Sequence, residues 1–233
     1  MRSPESVWAV VVARVGNGAK SRPAAALSPT QRRALALAML ADVIDACVQA
    51  DGVFAGTLGV VDSPDARQTV EFGGAIALVD PGVGDMNAAV LMGLRSARER
   101  GATTALVVPG DVPLIAESDF AALLDAAGSA QRAVVVAASH DGEGTNALLL
   151  RPPQVIPPGF GPPSLQRHVR AGLSAGALTR VCFDLGLALD VDTPADLAAL
   201  QSSHPRRNTA TLLADLAAVL SAKLQPLPGE RSE

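Results

Sequence analysis

The chain has 233 residues, 48% hydrophobic and 18% charged, with a formal net charge of −4. That supplies the core of one substantial domain and argues against a nucleic-acid partner. No apolar run reaches the ~18–20 residues of a membrane span, the N-terminal apolar stretch is too short for a secretory leader, and Cys47 and Cys182 lack metal-ligand spacing, so we expect a cytoplasmic protein with reduced thiols and no membrane partner.

In chain order, Trp8–Ala13 reads as a buried strand, followed by a glycine-spaced basic loop, "VGNGAKSRP", at 15–23. Ser28 and Pro29 supply a cap and a first-turn proline for a helix running to Gln49. Gly56–Val61 and Ala75–Val79 read as strands on either side of a short helix at Pro64–Val70. Asn87–Arg100 is helical, Thr104–Val108 is a strand that runs out at Pro109-Gly110-Asp111, and Glu117–Ala127 is helical again. Ala133–Ala138 and Ala147–Leu150 flank the turn-rich His140-Asp141-Gly142-Glu143-Gly144, which predicts a hairpin. A proline-rich loop over 152–163 and a short helix precede a last strand at Leu187–Val191, and Thr193-Pro194 opens another helix.

Strands alternating with helices predict an α/β fold: one Rossmann-like domain over 1–203, with a mostly parallel but mixed sheet, flanking helices and an inserted β-hairpin. Residues 204–233 read as a C-terminal helix and flexible tail. Leucines and valine at 212, 213, 216, 219, 220 and 224 form one apolar stripe, which packs on the domain or on a second copy of the chain as a homodimer. Gln225–Glu233 reads as disordered.

The basic loop is neither a P-loop nor a dinucleotide fingerprint. Arg14 and Ala19 stand where the P-loop glycines belong, and Ser21 stands at the third fingerprint glycine. Amides freed by Gly16 and Gly18, flanked by Arg14, Lys20 and Arg22, can wrap a triphosphate, although an ordinary β-α loop fits the same residues. Seventeen of the 19 bases are arginine, which makes the compact ammonium of Lys20 conspicuous.

Three aspartates close apolar segments. Asp111 ends one strand, and Asp190 and Asp192 share a face at the end of another if that segment is extended. Ligands of open parallel sheets lie beyond the carboxyl ends of strands, and hard oxygens beside a phosphate suit magnesium. A turn aspartate at 111 and a helix-dipole aspartate at 192 remain as alternatives; Asp190 is harder to place outside a metal or ion pair.

Six segments in order, "AKSR" (19–22), "RRALALAMLADV" (32–43), "PGDVPL" (109–114), "GTNALLL" (144–150), "FGPPSLQRH" (160–168) and "LDVDTPADL" (189–197), resemble the CofC-type guanylyltransferases of coenzyme F(420) biosynthesis over roughly residues 8–200. The resemblance implies a nucleotidyltransferase domain that moves GMP from GTP to 2-phospho-L-lactate, phosphoenolpyruvate or 3-phosphoglycerate, with release of pyrophosphate. It implies Mg2+ on Asp111, Asp190 and Asp192, and Lys20 and Arg22 beside the leaving pyrophosphate. Thr145, Gly161 and Ser164 would hold the acceptor, His168 and Arg170 match polar positions after that serine, and Arg14, Gly16, Gly18 and Asn87 fall on the nucleotide side. Arg14 replaces a usual lysine, Pro23 a usual leucine, and Gly84–Asn87 is one residue longer than usual. A nucleotidyltransferase for a sugar phosphate or molybdenum cofactor, a glycosyltransferase using the Asp-x-Asp of residues 190–192, and a GTP-binding module without turnover share the loop and the acidic residues.

Overall fold

The computed structural model describes residues 5–15, 27–80, 85–183, 186–191 and 194–223. Its elements in chain order are β1 (Val7–Ala13), α1 (Pro29–Gln49), β2 (Gly56–Val61), α2 (Pro64–Phe72), β3 (Ile76–Val79), α3 (Met86–Glu99), β4 (Thr104–Pro109), α4 (Glu117–Ala127), β5 (Ala133–Ala138), β6 (Thr145–Arg151), α5 (Ser164–Ser174), β7 (Leu178–Cys182), α6 (Pro194–Ser202) and α7 (Arg207–Lys223). The strands form one sheet in the order β3-β2-β1-β4-β6-β5-β7. Every pairing is parallel except those of β6, which runs antiparallel to both β4 and β5. The hairpin is thus built into the middle of the sheet, and the mixed α/β architecture expected from the alternation holds.

Both faces of the sheet are covered, which is why its strands read as unbroken apolar runs. Along β1, Ala9 and Val11 join a core with α1, α2 and α4, while Trp8, Val10 and Val12 join one with α3 and α5. A third apolar cluster lies outside these layers. Leu35 and Met39 of α1, Leu197 and Leu200 of α6, and Leu213 and Leu216 of α7 close over Val191. The carboxylate of Asp42, buried within α1, accepts the backbone N–H groups of Asn208 (2.9 Å) and Thr209 (2.8 Å) and so caps the first turn of α7 from another helix. The described part of the C-terminal stripe, Leu212, Leu213 and Leu216, is therefore used within the chain. Among the described residues, no helix is long and apolar enough to cross a membrane.

Two segments depart from the expected elements. Leu187–Val191 pairs with no strand: Gly186–Ala188 is a single 3₁₀ turn, and residues 189–191 continue without a ladder. The Leu187 and Ala188 carbonyls bond instead to the Asn146 side chain, and the Ala188 carbonyl also to the His140 backbone. The seventh strand is Leu178–Cys182, an edge strand whose half-buried Thr179 and exposed Arg180 break the apolar run expected of a sheet interior. The last helix begins at Arg207, five residues before the stripe. Gly16, Gly18, Lys20, Arg22, Asp192, the Thr193 cap and the Gln225–Glu233 tail lie outside the described residues.

Candidate active site

The site is built at the carboxyl ends of β1 and β4. The Gly110 N–H donates to the Val12 carbonyl at 2.9 Å, and a Cβ on Gly110 would sit 2.7 Å from that of Ala13. Only glycine lets the chain leave β4 this close to the exit of β1. Asp111 follows at once, half-buried, and its carbonyl accepts the Val191 N–H at 3.3 Å. Residues far apart in sequence, 111 and 190–191, are thereby joined.

Asn146 fastens the second of these segments. Its Nδ2 lies 2.9 Å from the Leu187 carbonyl, 3.0 Å from that of Ala188 and 3.2 Å from Oδ1 of Asp190. A buried amide must find partners, and here they are the backbone and the carboxylate of one short segment. His140 stands beside it, with Nδ1 3.9 Å from Asp190 Oδ1 and Nε2 4.0 Å from Asp196 Oδ1. Asp111 and Asp190 thus stand on touching stretches of chain, and their oxygen donors are of the kind a hard divalent cation takes. Among the described residues alone, no three His, Cys, Asp or Glu side chains form a metal-binding group; Asp192 falls outside that set.

The neighbouring residue of β6, Thr145, ties a different segment. Its Oγ1 lies 3.0 Å from Nδ1 of His168, and Nε2 of that ring accepts the Gly159 N–H at 2.9 Å. His168 is 1% exposed, sits edge-on to Phe160 with ring centroids 5.0 Å apart, and has its pKa lowered from 6.5 to about 4 by burial and then by the Arg167 charge. The 159–162 stretch is held from two further sides. Asn87 of α3 takes the Phe160 N–H on Oδ1 (2.6 Å) and gives Nδ2 to the Phe160 carbonyl (3.2 Å). Arg167 donates to the Gly159 and Gly161 carbonyls at 2.7 and 3.2 Å. Gly161 has φ +92°, a conformation that favours glycine, and Ser164 begins α5 buried to 2% exposure. Arg170 is exposed further along the same helix.

On the opposite side, Arg14 pairs with Asp80 at 2.7 Å and donates to the Asp85 carbonyl at 3.0 Å. Asp62 receives the Val15 N–H at 2.9 Å, and Arg33 reaches the Val15 carbonyl and Asp65. Asp85 caps α3 through the Ala88 N–H, the bond that chiefly holds its carboxyl below the usual range. Of the residues singled out from sequence, the structure groups Asp111 with Asp190, and Thr145 with His168, Gly161 and Ser164. Asn87 bonds to the Phe160 backbone, and Arg14 lies with Asp80. Asn146, Arg167 and Asp80 were not anticipated; a polar residue inside the apolar "TNALLL" was the available signal for Asn146.

The family described as "Guanylyl transferase CofC like" matches residues 8–221, which takes in most of α7. The phosphoenolpyruvate guanylyltransferase of Rubrobacter xylanophilus is 42% identical over 207 residues, 87% of this chain and 99% of that protein. That of Conexibacter woesei is 40% identical over 196 residues, covering 84% and 87%. The 3-phospho-D-glycerate guanylyltransferase of Phenylobacterium zucineum is 34% identical over 213 residues, covering 89% and 95%. A solved nucleotide-diphospho-sugar transferase from Desulfovibrio desulfuricans shares the fold, with a TM-score of 0.71 at 17% identity over 94% of this chain and 98% of that one. The chain belongs to the CofC-like guanylyl transferase family and is a nucleotidyltransferase.

Proposed function

We propose that this enzyme transfers GMP from GTP to the phosphate of a three-carbon phospho-acid, phosphoenolpyruvate first, in the cytoplasmic synthesis of coenzyme F(420). The first acceptor follows the two relatives of 40% and 42% identity. The observation that carries the reading is the start of β6. Consecutive residues there, Thr145 and Asn146, bind the 159–164 loop and the Asp190 segment to one strand end. An anion held by the loop would then lie beside the carboxylates.

A phosphate oxygen of the acceptor attacks the α-phosphorus of GTP in line; the new P–O bond forms as the α–β bridging bond breaks and pyrophosphate leaves. That oxygen is already ionised at neutral pH, so no side chain has to remove a proton. Asp111, Asp190 and Asp192 would hold Mg2+, which supplies charge neutralisation between the two anionic reactants. Asn146 orients the Asp190 carboxylate. Thr145, the Gly161 backbone and Ser164 bind the acceptor's phosphate and carboxylate, and the loop's fastenings align it. Lys20 and Arg22, with the Gly16 and Gly18 amides, would take the triphosphate and stabilise departing pyrophosphate. Arg14, paired with Asp80 through one guanidinium nitrogen, would flank the triphosphate at the exit of β1.

The deciding experiment measures pyrophosphate release from ATP, CTP, GTP and UTP against phosphoenolpyruvate, 2-phospho-L-lactate and 3-phosphoglycerate, with product masses. GTP-dependent release and a GMP–phospho-acid mass are expected; release only with a sugar phosphate, or none with GTP, removes the reading.

A further inference from the structure

The ring of His168 is polarised by its backbone neighbour. The Gly159 N–H can only donate, so the Nε2 that faces it at 2.9 Å must be a bare acceptor. A neutral imidazole with bare Nε2 carries its hydrogen on Nδ1. Nδ1–H then donates to Thr145 Oγ1 at 3.0 Å, and the threonine hydroxyl becomes the acceptor of that bond. Its own hydrogen cannot point back at the ring. Among the described residues, His168 is the hydrogen-bond partner of this hydroxyl.

We infer that His168 is a positioning residue that does not touch the acceptor but fixes the Thr145 hydroxyl as a donor to an anionic oxygen of the phospho-acid. The inference rests on the phospho-acid reading above. An unconstrained threonine hydroxyl offers donor or acceptor with little preference; one that already accepts from imidazole has spent one of its two lone pairs and cannot turn its hydrogen to the ring, so that hydrogen is left for a ligand oxygen. The ring is well placed to hold this state. It is 1% exposed, lies edge-on to Phe160, and connects β6 to the loop whose Phe160 backbone is clamped by Asn87. Burial and the Arg167 charge keep it neutral through the physiological range, as the chain of donors requires. The same chain sets the register between strand and loop, because moving either breaks one of the two ring bonds.

The test combines ring-nitrogen NMR with a double-mutant cycle. In enzyme carrying 15N-labelled histidine and no substrate, His168 should show protonated Nδ1 and bare Nε2 at pH 6 to 8; the opposite tautomer, or an imidazolium, overturns the inference. Thr145→Val should raise the KM for the acceptor about tenfold while moving the KM for GTP less than about twofold. His168→Gln, whose Oε1 can still receive the Gly159 N–H, should raise the acceptor KM similarly, and the double variant should add little, since both remove one hydrogen bond. Independent effects that multiply to about a hundredfold overturn it, as does an unchanged acceptor KM in His168→Gln. Should His168→Gln fail to fold, the cycle is run with His168→Asn, which keeps an N–H near the Nδ1 position; recovery of most of the Thr145-dependent affinity supports the inference, and complete loss counts against it. A wild-type enzyme inert toward every phospho-acid removes the functional reading itself, an outcome distinct from phospho-acid turnover with multiplying effects.

Discussion

The loop at 159–164 and the segment at 186–191 meet the same end of β6, yet they are held in different ways. The loop is fastened by side chains from three places: Asn87 on α3, and Arg167 and His168 on α5. The Asp190 segment is held by the Asn146 amide, by backbone bonds to His140 and Asp111, by the Asp119 carboxylate of α4 at the Gly186 N–H, and by apolar contact of Leu189 and Val191 with the cluster under α7. Redundant fastening lets a surface hold a substrate through many small contributions. In the segment, Asn146 bonds both the backbone carbonyls and the Asp190 carboxylate, so one substitution disturbs both. Variants in the two regions should therefore differ in kind: graded changes in acceptor KM for the loop, and losses in kcat for the segment.

The largest effect is expected at the carboxylate itself. Asp190→Ala should keep the far-ultraviolet circular dichroism of the wild type and lower pyrophosphate release by on the order of a thousandfold or more. Near-normal release would break the comparison at its root. Next comes acid stability. The unfolded chain protonates His168 near 6.5, but the folded chain only near 4. Between those values the unfolded state binds more protons, so falling pH removes stability, on the order of 3 kcal/mol in total. Urea unfolding of wild type and His168→Gln at pH 7 and pH 4.5 should show the larger pH-dependent loss in wild type. Asn146→Ala should cost about 10- to 100-fold in kcat, and should weaken Mn2+ binding read by electron paramagnetic resonance without nucleotide. An effect confined to acceptor KM would assign Asn146 to the loop and sharpen the boundary. The smallest change is expected from Asn87→Ala, a rise of about threefold in acceptor KM with GTP unaffected, since Arg167 and His168 still hold the loop. A rise in GTP KM alone would return Asn87 to the nucleotide side.

Much of this was legible in the residues. Strand runs such as Gly56–Val61 and Ala133–Ala138 are apolar because both faces are buried, and the structure reproduces their bounds. The proline and glycine before Asp111 marked a strand exit correctly. Leu187–Val191 misled because apolar content reports burial without reporting which group takes the backbone carbonyls; here a side chain 41 residues away does so. Leu178–Cys182 was missed for the converse reason, as an edge strand with polar, half-exposed positions has little apolar periodicity to detect. The link from Thr145 through His168 to Gly159 joins three segments by single bonds and leaves no pattern in any one of them.

The cap that Asp42 provides for α7 bears on how the enzyme is made. A nascent chain halted at residue 203 already contains all seven strands, but lacks Leu213 and Leu216, which lie over Leu200 and Val191. Ribosomal synthesis therefore delivers this cover of the Asp190 segment only after the sheet has emerged. A chain that stops short of α7 leaves Leu35, Met39, Leu197 and Leu200 without the cover of Leu213 and Leu216, an apolar surface next to the Asp190 segment.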